Sequence, residues 1–111
     1  MNYPLIKALN EAGVINVEGK LENVQLAEGG IDTVFVPTLE GLVESCGDEF
    51  TEIRDLQNLQ KKAVHKMEIP PEKRYEAVST NGKKLRYGHG HTMYEAMANL
   101  KLSLINPTFG L

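Results

Sequence analysis

Two histidines, His89 and His91, stand two residues apart among glycines. In an extended segment that spacing turns both rings to one side. Such a pair supplies two of the two to four imidazole or thiolate ligands that a transition metal needs. His65 and Cys46 are the remaining soft donors, and the sequence names no further ligand. A small metal-dependent enzyme is therefore one reading of the chain. Catalysis without a metal has less to stand on. Asp48-Glu49 is a pair of adjacent acids after Gly47, a common loop composition, and no Ser or Cys lies beside a His. Gly88-His89-Gly90 precedes a helix but lacks the third glycine of a dinucleotide loop, and no Gly-Lys-Ser triplet occurs. No catalytic residue and no cofactor are assigned, and the chain is expected not to be an enzyme.

A second group of residues suits binding. Lys73, Arg74, Lys83, Lys84 and Arg86, with Tyr75 and Tyr87, make a basic segment with interleaved aromatics over residues 73–88. Such a segment can hold a nucleic-acid backbone and stack bases. The plainer role of its lysines is to keep an exposed strand edge soluble and unpaired. Charge is uneven along the chain. Residues 1–55 carry three basic against eleven acidic residues, a balance of −8; residues 56–111 carry nine against four, a balance of +5. An acidic half can imitate nucleic acid, or the two halves can neutralise each other once folded.

The elements that must position these residues follow from periodicity and capping. Tyr3–Ala12 reads as a helix capped by Asn2 and ended by Gly13, with Leu5, Ile6, Leu9 and Ala12 on one face. Glu22–Ala27 and Ile31–Val36 read as antiparallel strands around Glu28-Gly29-Gly30. Thr38 caps a second helix with Leu39, Leu42, Val43 and Cys46 on its apolar side and Gly47 at its end. Cys46 is expected to be a buried, inert thiol. Residues 48–69 admit two readings: the three-to-four spacing of Phe50, Ile53, Leu56, Leu59, Ala63, Val64 and Met67 predicts a helix over part of the span, whereas the Gln- and Lys-rich middle suits an exposed or mobile segment. Pro70-Pro71 then breaks regular structure.

The C-terminal part is the most explicit. Asn81-Gly82 suits a type I′ turn, which would pair Thr80 with Lys83 and Val78 with Leu85. Gly88–His91 reads as a flexible link. Thr92 and Glu95 form a capping box opening a helix that runs to about Ile105. Met93, Ala96, Met97, Leu100 and Leu104 make one apolar face; Tyr94, Ala98, Leu102 and Ile105 make a second, interrupted by Lys101. A helix apolar on two sides is covered twice. The second cover is either the rest of the chain or, in a homodimer through Tyr94, Ala98, Leu102 and Ile105, a second copy.

The predicted fold is α+β, a single domain over residues 1–111. A small antiparallel sheet of two hairpins packs with two to four helices, the C-terminal helix at the centre. At 111 residues, 41% apolar and 24% charged, the chain has a globular composition. One cysteine allows no internal disulfide, and no apolar run approaches the ~20 residues of a membrane span. The start, Met1-Asn2-Tyr3-Pro4, lacks a signal peptide's basic and apolar regions. A cytoplasmic setting is expected.

Two segments carry a resemblance. Pro37-Thr38-Leu39, Leu42 and Cys46-Gly47-Asp48 resemble a P-T-L-x-x-L-x-x-x-C-G-D segment. Gly90, Thr92, Glu95-Ala96, Ala98-Asn99-Leu100, Leu102 and Leu104 resemble a G-x-T-x-x-E-A-x-A-N-L-x-L-x-L ending. Both occur in this order in small bacteriophage and prophage proteins. The resemblance implies a phage origin and a host bacterial cytoplasm. The ending also resembles antitoxins of the HicB type, whose G-x-T-x-x-E-A opens a helix packed on a small sheet. Their P-D-L-P-G stretch has no counterpart here, so only the local geometry carries over. The expected function is that of a phage-encoded accessory protein which binds a host protein, including a host-defence factor. The alternatives are a nucleic-acid-binding module and the metal-dependent enzyme.

Overall fold

A computed structural model describes residues 2–61, 68–81 and 84–105. It shows an α+β fold with four α-helices and two antiparallel sheets, one of two strands and one of three. Helix α1 (Tyr3–Glu11) starts where the Asn2 side chain accepts the Leu5 N–H, and it buries Leu5, Ile6 and Leu9. Its polar side is equally engaged. The Asn10 amide donates to the Phe35 carbonyl at 2.7 Å and accepts the Phe35 N–H at 2.9 Å. Tyr3 donates to Asp32 at 2.5 Å, and Lys7 pairs with the same carboxylate at 3.2 Å. The sequence reading counted only the apolar stripe of this helix.

Strands β1 (Gly19–Gln25) and β2 (Ile31–Pro37) form the first sheet, from Gly19 against Pro37 to Gln25 against Ile31. β1 begins three residues earlier than predicted and ends two earlier. Gly29 and Gly30, at φ +90° and +95°, make the turn. Helix α2 (Leu39–Cys46) follows, with the Thr38 hydroxyl accepting the Gly41 N–H at 3.0 Å.

The next stretch differs from its periodicity. Phe50–Asp55 is a strand, β3, and only Leu56–Gln60 is helical (α3). The helix-like spacing has a structural cause. A β-bulge between Phe50 and Glu52 inserts one residue, so Phe50 and Ile53, three apart, both pack against the core. β3 pairs with β4 (Tyr75–Asn81), which pairs with β5 (Lys84–Gly90), giving the order β3-β4-β5.

Two further expectations change here. Val78 pairs with Tyr87 and Thr80 with Leu85, two residues along from the predicted register. The chosen register sets Gly88 opposite Ala77 and Gly90 opposite Tyr75. Gly82 and Lys83 lie outside the described residues, as does His65. Gly88–Gly90 is strand, not a flexible link. A Cβ on Gly88 would lie 2.2 Å from the Leu100 nitrogen and 2.3 Å from the Ala96 oxygen. One on Gly90 would lie 2.5 Å from the Glu95 Cβ. The two glycines therefore let the backbone of helix α4 (Met93–Ile105) lie directly on β5.

Helix α4 is central, touching β5, β4, α2 and α1. Thr92 accepts the Glu95 N–H at 3.1 Å; Glu95 reaches back one residue beyond the expected cap, to the His91 N–H at 3.1 Å. The face proposed for a second copy is covered within the chain. Ala98 is fully buried and Leu102 nearly so, while the half-buried Tyr94 donates to the Pro37 carbonyl at 2.6 Å. Lys101, which interrupts that face, donates to the Ser45 carbonyl at the end of α2 at 2.8 Å. Ile105 alone of the four is exposed. The core runs as one cluster through α1, β2, α2, β4 and α4, around Ile6, Leu9, Leu42, Met97 and Leu100.

Candidate functional site: a cleft beside a free strand edge

The residues named for chemistry do not meet in one place. Arg74 pairs with Asp55 at 3.5 Å, and its guanidinium lies 5.0 Å from the centre of the Tyr75 ring. Burial raises the Asp55 carboxyl, but the Asn58 N–H and the Arg74 guanidinium outweigh it and hold the group below its ordinary value. Tyr75 is half-buried against the core. Strand alternation puts Arg86, opposite Ser79, on the face towards α4, whereas Tyr87 lies on the opposite, open face. Lys73 is exposed in a short 3₁₀ turn, Pro71–Lys73. The side chains of Lys83 and Lys84 fall outside the described residues.

The open face of the three-stranded sheet carries alternating charge instead of a positive field. Arg54 bonds Glu52 at 2.6 Å and pairs with Glu76 at 3.6 Å; Glu76 also meets His89 Nε2 at 2.9 Å. The Glu52 carboxylate holds the Arg54 pKa above its ordinary value. The Tyr87 and His89 rings stack with centroids 6.5 Å apart. His89 and His91 are separated as well. His89 borders a polar hollow with Glu72, Lys73 and Asn99, while His91 borders another with Gln57, Ile69 and Arg74. Among the described residues no three His, Cys, Asp or Glu side chains converge. Cys46 is buried, and burial pushes its thiol pKa up, away from reactivity.

A more apolar concavity lies elsewhere, between α2, β3 and the first residue of α4. It measures about 480 Å³. Leu39 and Val43 of α2, Phe50 and Ile53 of β3, and Met93 of α4 form its apolar floor. Met93 is 43% exposed, a large apolar side chain left in water. Glu40 and Glu44 stand on the α2 wall and Glu52 on the β3 wall. Glu40 and Glu44, four apart, are neighbours on the helix surface, a like-charge pair that costs the helix a few tenths of a kcal/mol (about 0.2–0.5). Neither has a cationic partner among the described residues.

One wall of the cleft is a strand whose outer edge meets no other strand among the described residues. β3 is the edge of its sheet, so alternate N–H and C=O groups point away from β4. Sequence reasoning had Leu39 and Val43 on the apolar side of α2. It missed the site because it gave Phe50 and Ile53 to a helix. Phe50-Thr51-Glu52-Ile53, with its aromatic and β-branched residues, was the available signal for a strand.

Fold and site together describe a small α+β module with an acidic-rimmed apolar cleft along a sheet edge. The chain matches no protein-family model, no curated protein and no solved structure. No helix among the described residues is long and apolar enough to cross a membrane.

Proposed function

We propose that this chain acts by binding another protein, and that the cleft between α2 and β3 is where it does so. The observation that carries this reading is the coincidence around one hollow of about 480 Å³ of an apolar floor with a strand edge and two glutamates that have no cationic partner among the described residues. An exposed apolar concavity costs solubility, and a like-charge helix pair costs stability, unless something occupies them. The phage-like segments support a host bacterial protein as the partner, and interference with a host-defence factor as its use. The acidic half of the chain suits a target whose own site takes a polyanion or that presents a basic segment.

The test is capture from bacterial lysate by the immobilised chain and by a Val43→Lys variant, each first shown to be folded by circular dichroism. A protein retained in stoichiometric amount by the wild type and lost by the variant is expected. Equal retention by both, or retention by neither, would sink the reading.

A further inference from the structure

We infer that the cleft receives an extended segment of its partner, bearing lysine or arginine at alternate positions, which pairs with β3 as an added fourth strand. This deepens the reading above and rests on it. The edge supplies the first reason. The outward N–H and C=O groups of β3 face no strand among the described residues, and an extended chain is the shape that satisfies them in series. A helix laid in the same hollow would leave them to water. The bulge at Phe50–Glu52 shortens the usable edge to Glu52–Asp55, which favours a short segment.

Charge supplies the second reason. Side chains two apart on a strand are separated by roughly 6.5–7 Å, close to the roughly 5–6 Å between positions four apart on a helix. Cations at alternate positions of an added strand thus meet Glu40 and Glu44 together. Their aliphatic stems lie along Leu39, Val43, Phe50 and Ile53 while their charged ends reach the rim. Other edges lack this combination. β1 exposes Leu21, at 70%, but its neighbours on the strand include Lys20, which would repel the same segment. The hollow next to β5 is polar and includes Lys73, which would repel the same segment.

The experiment uses the full chain and a capped synthetic peptide, Thr-Lys-Val-Lys-Val-Lys-Thr, read by amide chemical-shift mapping and fluorescence anisotropy. Shift changes are expected at Leu39–Glu44 and Glu52–Asp55, with cross-strand contacts between the peptide and β3. The double variant Glu40→Lys, Glu44→Lys, both exposed positions, is expected to weaken binding by about tenfold or more. A peptide N-methylated on the amides of one edge is expected to lose affinity to a similar degree. Equal affinity for the N-methylated peptide, equal affinity for a Glu-for-Lys peptide, or no shift at β3 would each overturn the inference. A partner that is captured from lysate through Val43 and binds the cleft as a helix would overturn it too, while leaving the protein-binding reading in place.

Discussion

The two sheets are fastened to their helices by opposite means. The β1–β2 sheet is gripped by side chains. Asn10 pairs with the backbone of Phe35 much as a neighbouring strand would, and Tyr3 and Lys7 converge on Asp32. The β3-β4-β5 sheet is joined to α4 chiefly by the absence of side chains, since Gly88 and Gly90 leave room for the helix backbone, with one side-chain bond from the Asn99 amide to the His89 carbonyl at 2.7 Å. The first attachment is directional, chemical and sensitive to protonation. The second is steric and indifferent to pH. It also places α4, and therefore Met93, where it closes one end of the cleft. The candidate site thus hangs on the steric attachment, and the acidic hairpin on the chemical one.

The sharpest break in that comparison is Gly88→Ala. The added methyl meets helix backbone that cannot rotate away, so a loss of about 3 kcal/mol or more is expected, with a fall in melting temperature of about 10 °C or more. A thermal melt that moves by only a degree or two would mean that the helix does not rest on the strand. Asn10→Ala is expected to cost less, about 1–2 kcal/mol, by leaving the Phe35 N–H and C=O without their side-chain partner. Chemical denaturation of both variants orders the two effects.

Protonation divides the attachments further. The Tyr3 hydrogen bond first, then Lys7, holds the Asp32 carboxyl below its ordinary value. Its contribution is complete above the unfolded carboxyl range, and it is lost as pH falls through the depressed value. Tyr3 is pushed up from 10.0 to about 12, chiefly by its bond to Asp32, so its contribution holds below pH 10 and fades as pH rises towards 12. Tyr94 is also raised to about 12, there mainly by burial. Tyrosinate absorbance should therefore show protons released late, near pH 12, and Tyr3→Phe should delete one of them. Stability of Gly88→Ala relative to wild type should not vary over the same range.

The smallest expected effect concerns the cleft. Glu44→Lys places Glu40 and a lysine four apart in the favourable order, with the cation nearer the helix C-terminus. It should stabilise the free protein by roughly 0.3–0.5 kcal/mol. The same variant should weaken the cationic peptide. A gain in stability with no loss of binding would separate the glutamates from the cleft's function.

Short-range chemistry was legible from the residues alone. Asn2, Thr38 and Thr92 announced three helix starts because a capping side chain bonds an N–H two or three residues away. Gly29-Gly30 announced a turn because only positive φ closes it. The doubly apolar wheel of α4 required two covers, since burial scales with apolar area whatever supplies it. Tertiary structure decided what those covers were: the same chain buries Ala98 and Leu102, with Tyr94 on the Pro37 carbonyl and Lys101 on the Ser45 carbonyl at the end of α2. It decided that Phe50–Asp55 is a strand, because the energy comes from pairing with β4, and a bulge hid the strand's period. It decided that the glycines at 88 and 90 are a helix seat instead of a hinge, since only contact with Ala96 and Leu100 makes a missing Cβ matter. The cleft belongs to this second category. Its walls are joined by no local rule, only by the packing that brings Leu39, Val43, Phe50, Ile53 and Met93 together.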